Sequence, residues 1–159
     1  MDLMDQPLSV IVATFPVPYD QHVGRVEIAR TDEEVYFTLG RPDTQAAGIF
    51  RRRFDAAAPT PADALYTGPQ VPYPLDSVSP QLAADKDFVY WGGGVSGPMA
   101  ISTCTTRTVS PKQLFPSTGG AGGQNNTTYA VVRSGNKLFF ATDDGRVYSM
   151  DPPAPEPCP

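Results

Sequence analysis

Short apolar runs that follow small polar clusters recur along this chain at regular intervals. Each polar cluster is followed directly by aliphatic and aromatic residues, at 32–37, 85–91 and 135–140. When Val35, Val89 and Leu138 are taken as equivalent, successive repeats are separated by 54 and 49 residues. Aromatic and β-branched residues favour strands, and the polar clusters before them favour tight turns. The pattern therefore predicts three similar units built from short strands.

Each unit is predicted to contain up to four strands, termed a to d in chain order. In the first unit, residues 23–68, the strands are predicted at 24–30, 34–39, 48–54 and 64–67. In the second unit, residues 79–118, they are predicted at 80–84, 88–91, 98–108 and 113–115. In the third unit, residues 127–151, only three are predicted, at 128–133, 137–141 and 146–150.

The missing fourth strand of the third unit has a candidate at the other end of the chain. Residues 152–159 form a Pro-rich tail, which cannot donate a ladder of hydrogen bonds. Residues 8–14 form an apolar run that aligns with a strand d. A period near fifty residues with four strands per repeat is typical of a β-propeller. The sequence therefore predicts an all-β protein in which residues 1–151 form about three four-stranded blades with a circular offset.

Three blades are fewer than a closed propeller needs, since propellers typically carry four to eight. A lone arc of three blades leaves two apolar blade faces open to solvent. We therefore expect a homodimer that closes as a six-bladed ring, with the N-terminal strand completing a blade within or between chains. The alternative is that the chain continues into further blades of a parent protein.

Composition agrees with short strands and turns and excludes two classes of partner. The chain has 14 Gly and 18 Pro, and only 18% of its residues are charged, which disfavours long helices. Its net charge of −5 gives no basic surface for nucleic acid or an anionic membrane. The one basic cluster, residues 51–53, is interpreted as the solvated face of an outer strand, with Arg52 pointing away from its two neighbours.

Neither the apolar runs nor the cysteines establish a compartment. No stretch approaches the roughly 20 apolar residues that span a bilayer, and no leader sequence is visible within the chain, so we expect no membrane insertion. Cys104 and Cys158 are too few for a disulfide framework and lack metal-site spacing. One disulfide bridge and two free thiols both remain open.

The strings at residues 34–37, 88–92 and 138–143 resemble the Tyr-Trp-Thr-Asp blades of lipoprotein-receptor-type propellers. They also resemble repeat proteins of bacterial cell envelopes, myxobacterial ones in particular, and residues 145–150 fit the third strand of that pattern. The resemblance extends from about Val23 to Asp151. It implies a secreted or cell-envelope location and a role in binding or scaffolding, although some propellers are enzymes.

Catalytic chemistry finds little support in the sequence. The chain has one histidine, His22, and no Gly-x-Ser-x-Gly elbow to supply a nucleophile. We therefore predict no catalytic residues, no metal site and no cofactor. The paired aromatic residues of the b strands, such as Tyr90 and Trp91, are predicted to fill the gaps between blades.

A ligand site is predicted on the loops that connect strand d of one unit to strand a of the next. These loops are long and mix exposed aromatic residues with Asp and Asn, a composition that suits a glycan, a peptide or a protein. The candidate residues are Tyr19, Asp20, His22, Tyr73, Asp76, Asn125 and Asn126. The alternative is that these Pro-rich loops are rigid connectors.

The leading functional hypothesis is a noncatalytic binding or scaffold module. The rival is a propeller hydrolase or lyase with an axial acid and base, Glu27 with Asp20 or His22. Such an enzyme needs titratable residues on several inner strands, whereas only the first inner strand offers a carboxylate. A third hypothesis is a fragment of a longer propeller with no function of its own.

Overall fold

The structure, a computed structural model, describes residues 28–41, 46–56, 63–67, 82–92, 97–104, 110–115, 128–142, 145–155 and 157–158. Within these ranges the chain is all-β and contains no helix, as the sequence predicts. Three separate antiparallel sheets form, and in each sheet strands that are consecutive in the chain are also neighbours in space.

The first sheet contains β1 (Ile28–Arg30), β2 (Glu34–Arg41), β3 (Ala46–Arg53) and β4 (Asp63–Thr67). The middle sheet contains β5 (Leu82–Ala84), β6 (Phe88–Gly92), β7 (Pro98–Ser102) and β8 (Lys112–Gln113). The third sheet contains β9 (Thr128–Ser134), β10 (Lys137–Thr142) and β11 (Val147–Met150). The predicted strand at 8–14 lies outside the described residues.

The largest departure from the predicted bounds is at β7, which was expected to continue to residue 108 and ends at Ser102. The amide of Thr103 still donates to the Asp87 carbonyl at 3.0 Å, in the register that pairs Phe88 with Ser102. Beyond it, the amide of Cys104 donates to Ser102 Oγ at 3.2 Å, a local bond that strand pairing does not make. The run of β-favouring residues therefore stops being strand where the backbone bonds a nearby side chain.

The turns between the first two strands of the first and middle sheets share one local structure. Thr31 Oγ1 accepts the amide of Glu34 at 3.1 Å, and Asp85 Oδ1 accepts the amide of Phe88 at 2.9 Å. In both turns the backbone amide of the same residue also bonds the carbonyl three residues on, at 2.9 Å. Short polar side chains close such turns well. In the third sheet the turn instead uses Gly135 at a φ of 56°, a conformation that glycine adopts without strain.

The middle sheet is sandwiched between the other two, and every residue of β6 and β7 is buried. Side chains that meet between the first and middle sheets are Tyr36, Ile49, Leu82, Val89, Trp91, Met99 and Ile101. Side chains that meet between the middle and third sheets are Ala83, Phe88, Tyr90, Ala100, Val131, Leu138 and Phe140. Alternation along each strand sends neighbouring residues to opposite faces. Tyr90 and Trp91 therefore pack into the junctions on either side of β6, whereas Phe139 of the third pair is exposed.

The outer face of the third sheet keeps large apolar side chains in solvent. Val132 and Phe139 lie opposite each other in the β9–β10 register, and they are 51% and 38% exposed. Val147 of β11 is 71% exposed. On the first sheet, Ile28 of β1 is likewise 66% exposed.

The arginine cluster corrects one interpretation from the sequence. Arg51 and Arg52 do point to opposite faces of β3, but Arg52 is buried and only Arg53 is exposed. The solvated face expected for residues 51–53 is therefore wrong for Arg52. Arg51 donates from Nη1 to the Thr103 carbonyl of the middle sheet at 3.0 Å, so it ties two sheets together.

Cys104 and Cys158 form a disulfide bridge with a Cα–Cα distance of 5.6 Å and a sequence separation of 54 residues. Cys104 follows β7 in the middle sheet, and Cys158 lies in the tail that follows the third sheet. An ion pair between Lys137 Nζ and Asp151 Oδ1, 2.8 Å apart, also holds the start of this tail. Of the two alternatives that the sequence left open, the bridge is the one found.

Candidate functional site

The residues predicted for ligand binding all lie outside the described part of the chain. They are Tyr19, Asp20, His22, Tyr73, Asp76, Asn125 and Asn126. Glu27, the candidate axial carboxylate of the rival enzyme hypothesis, also lies outside it. These assignments therefore stay predictions.

A different site is present where the first and middle sheets meet. A cleft of about 380 Å³ opens between the β1–β2 turn and the β5–β6 turn. Residues 31–34 and Tyr36 form one wall, and residues 84–86 form the other. The cleft lies at the end of the strands where β1 and β5 finish.

Glu34 and Tyr36 form a hydrogen-bonded pair on the first wall. The Tyr36 hydroxyl donates to Glu34 Oε2, and its ring is buried with 1% of its surface exposed. Burial, followed by the hydrogen bond and the charge of Glu34, raises the pKa of Tyr36 well above its usual value. The hydroxyl therefore stays protonated and acts as a fixed donor that orients the carboxylate.

Both carboxylate oxygens of Asp85, on the second wall, accept hydrogen bonds within the protein. Its Oδ1 accepts the amides of residues 87 and 88 at 3.0 and 2.9 Å. Its Oδ2 accepts the Tyr90 hydroxyl at 2.8 Å and Arg133 Nε at 3.1 Å. Burial alone would raise the pKa of Asp85, but these hydrogen bonds, led by that from Tyr90, outweigh it and hold the pKa below its usual value. Asp85 is thus an ionised structural anchor.

Arg133 belongs to the third sheet, so its bond to Asp85 closes the middle–third junction. The strand registers pair Arg30 with Val35, Ala84 with Val89, and Arg133 with Leu138. Arg30, Ala84 and Arg133 are therefore equivalent positions in the three sheets. The first–middle junction has alanine where the next junction has arginine, and the cleft occupies that place.

The charges around the cleft are mainly negative. Asp32, Glu33, Glu34 and Asp85 line it together with a single cation, Lys86. Arg51 is close enough to lower the pKa of Tyr36 slightly, but its guanidinium is directed to the Thr103 carbonyl and lies 4.0 Å from Asp63. Within the part of the chain that the structure describes, no cationic side chain pairs with Glu34.

Sequence reasoning missed this cleft because it compared the aromatic b strands and the long connecting loops. The usable signal was in the strands before the turns, where Arg30, Ala84 and Arg133 end the first strand of each unit. When these three positions are aligned, they read arginine, alanine, arginine. The alanine indicates that one junction lacks an arginine that the other has.

No group of three or more His, Cys, Asp or Glu is arranged to hold a metal ion in the described ranges. None of the described residues forms a helix of the length and apolarity required to cross a bilayer. Comparison of the chain with protein-family models, curated proteins and solved structures finds no match. Functional inference therefore depends on the geometry.

Proposed function

We propose that this protein is a noncatalytic scaffold and binding module made of β-propeller blades, which assembles through the outer faces of its end sheets. The observation that carries the proposal is the contrast between sheets. The middle sheet is buried on both faces, whereas the third sheet exposes Val132, Phe139 and Val147 on the face turned away from it.

The contrast between the two sheets is clear at one pair of equivalent positions. Phe139 occupies the position in β10 that Tyr90 occupies in β6, and Tyr90 is fully buried against the third sheet. Phe139 is also aromatic, but it is 38% exposed. A contiguous apolar face of this kind is characteristic of a surface that another element covers. It is the face against which a fourth blade would pack.

The proposed occupant is the first sheet of a second copy, whose outer face carries the exposed Ile28. Two arcs of three sheets that meet end to end form a six-bladed ring with two-fold symmetry. This arrangement would cover Ile28 of the first sheet and the apolar face of the third sheet. Such a ring would present the long connecting loops around one face, where we propose that a glycan, peptide or protein binds.

Light scattering on the intact chain tests the assembly. We expect about twice the chain mass of 17.1 kDa at micromolar concentration. Phe139→Asp should convert the dimer to a monomer, because it places a charge at the centre of the apolar face. Ser110→Asp, which adds the same charge at an exposed position beside β8, should leave the dimer intact.

The alternatives give different outcomes in the same experiment. A monodisperse monomer of the unaltered chain would overturn the dimer. Large, polydisperse assemblies that Phe139→Asp dissolves would instead favour a fragment of a longer propeller. A hydrolase or lyase would depend on Glu27, Asp20 and His22, and no observation in the described ranges favours it.

A further inference from the structure

The two sheet junctions are internal copies of one arrangement, and only one of them holds a guanidinium group. At the middle–third junction, Arg133 Nε lies 3.1 Å from Asp85 Oδ2, which also accepts the Tyr90 hydroxyl. At the first–middle junction the Tyr36 hydroxyl donates to Glu34. Tyr36 and Tyr90 occupy equivalent register positions. A half-buried carboxylate that accepts a tyrosine hydroxyl therefore occurs at both junctions, although Asp85 belongs to the turn before β6 and Glu34 to the start of β2.

At the first–middle junction, Ala84 stands in the place of the arginine. The missing side chain leaves the cleft of about 380 Å³ between Ala84, Glu34 and Tyr36. We propose that this cleft binds the guanidinium group of an arginine presented by a peptide segment of a partner protein, in the position that Arg133 fills at the other junction. This site goes beyond the proposed assembly and does not depend on it.

The geometry favours guanidinium over a metal ion. Hard cations such as calcium need six or more oxygen ligands, and the described residues contain no cluster of three metal-ligating groups. Both oxygens of Asp85 already accept hydrogen bonds within the protein. Glu34 is thus the main acceptor, and carboxylates pair with the planar fork of guanidinium through parallel hydrogen bonds.

The cations near this position in the described ranges have other partners or lie at its edge. Arg51 donates to the Thr103 carbonyl. Arg53, opposite Glu34 in the β2–β3 register, is held by Asp55, and Lys86 is an exposed residue at the edge of the cleft. The remaining lining charges are Asp32 and Glu33, which attract a cation to the mouth of the cleft. An arginine side chain of a partner peptide therefore fits both the negative charge and the shape of the cleft.

The test uses N-acetyl-arginine amide as the probe and N-acetyl-citrulline amide, which has nearly the same shape but no charge, as the reference. We expect the arginine probe to shift the backbone amide resonances of Ala84 and Tyr36 in a saturable manner, and the citrulline probe to leave them nearly unchanged. Binding should weaken in high salt, because charge attraction at an open cleft is screened.

Three variants assign the binding to the cleft. Glu34→Gln should lower the affinity by about ten-fold or more, since hydrogen bonds to a charged group are lost. Ala84→Arg should abolish binding, because the arginine of the chain itself fills the position as Arg133 does. Asp151→Asn, which removes an exposed carboxylate paired with Lys137 of the third sheet, should leave the affinity unchanged.

Equal binding of the citrulline probe would overturn the inference, as would unchanged affinity in Glu34→Gln or retained binding in Ala84→Arg. A circular dichroism spectrum of each variant confirms that it is folded. The mass measured by light scattering is read separately, so a failure of the dimer and a failure of the arginine site are distinguished.

Discussion

The first junction lies between the first and middle sheets, and the second lies between the middle and third sheets. Their apolar cores are packed in the same way, but their edges at the turns differ. Both junctions are filled by apolar residues that alternate along the strands, with Trp91 on one side of β6 and Tyr90 on the other. At the second junction Arg133 and Asp85 seal the turn edge. At the first junction Arg51 donates to the Thr103 carbonyl, and the turn edge stays open. The apolar core therefore determines how the sheets pack. The residue at the position of Ala84 or Arg133 determines whether a cleft remains at the turn edge.

The contacts between aromatic rings also distinguish the two junctions. At the first junction Tyr66 and Trp91 stack at 6.4 Å between ring centroids. At the second junction Phe115, Phe140 and Tyr148 form a cluster with centroid distances of 5.6, 5.6 and 5.4 Å. Phe115 follows β8, so the chain beside the middle sheet packs directly onto the third sheet. The second junction is therefore tied by rings, an ion pair and the disulfide.

The largest expected effect comes from the ring at the centre of the first junction. Trp91 is fully buried, so Trp91→Ala should lower the free energy of unfolding by about 3 to 5 kcal/mol through lost burial and a cavity. Denaturant titration measures this loss. Phe54→Ala, at a half-exposed ring, serves as the control and should cost far less. Similar losses for both variants would contradict the described core.

Removal of the disulfide should weaken mainly the second junction. A bridge that closes a separation of 54 residues contributes about 4 kcal/mol in the chain-entropy description, and typical measured values are about 2 to 4 kcal/mol. The paired substitution Cys104→Ser with Cys158→Ser should therefore lower stability by that amount. Hydrogen exchange should accelerate more in β9–β11 than in β2 and β3. A uniform increase would show that the bridge does not act on one junction.

The third prediction concerns the ion pair that seals the second junction. Asp85→Asn keeps the shape of the side chain but removes the charge that Arg133 and Tyr90 bind, so we expect a loss of about 2 kcal/mol at neutral pH. The pKa of Asp85 is lowered in the folded state. Its contribution is therefore complete above the unfolded pKa of about 4 and is lost as the pH falls through the folded pKa.

The stability difference between the two proteins should accordingly be largest near neutral pH and should shrink in acid. Urea titrations at several pH values measure it. Asp55→Asn is the matched control, because that carboxylate is exposed and its removal should leave stability nearly unchanged. A stability difference that stays constant down to about pH 2 would show that the charge of Asp85 is not its cause.

Strand positions were predictable from the sequence because turn chemistry and apolar runs act locally. The β6 strand was expected at 88–91 and is found at Phe88–Gly92, since Asp85 closes the turn before it with its own side chain. The end of β7 was not predictable, because nothing in the β-favouring run at 98–108 indicates that the Cys104 amide bonds Ser102 Oγ. Strand propensity does not show where a nearby side chain binds a backbone amide.

The cleft and the disulfide could not be derived from the sequence for a similar reason. The aligned strand ends set Ala84 beside Arg30 and Arg133 in the sequence, but only the packed sheets show that a cleft remains at Ala84. Cys104 and Cys158 become a pair only when their Cα atoms are 5.6 Å apart. Both features need the relative placement of sheets. The apolar cores were predictable, since alternation alone assigns Tyr90 and Trp91 to opposite faces.

The position of the disulfide also determines how the protein would carry a mechanical load. If tension is applied before the first sheet and at the C-terminal tail, force passes from Cys158 directly to Cys104 through the covalent bond. The strands β8 to β11 lie between these two cysteines and are bypassed. The bridge thereby withholds about 180 Å of extended chain. Stretching would load the first sheet and the first three strands of the middle sheet, while the third sheet bears no tension.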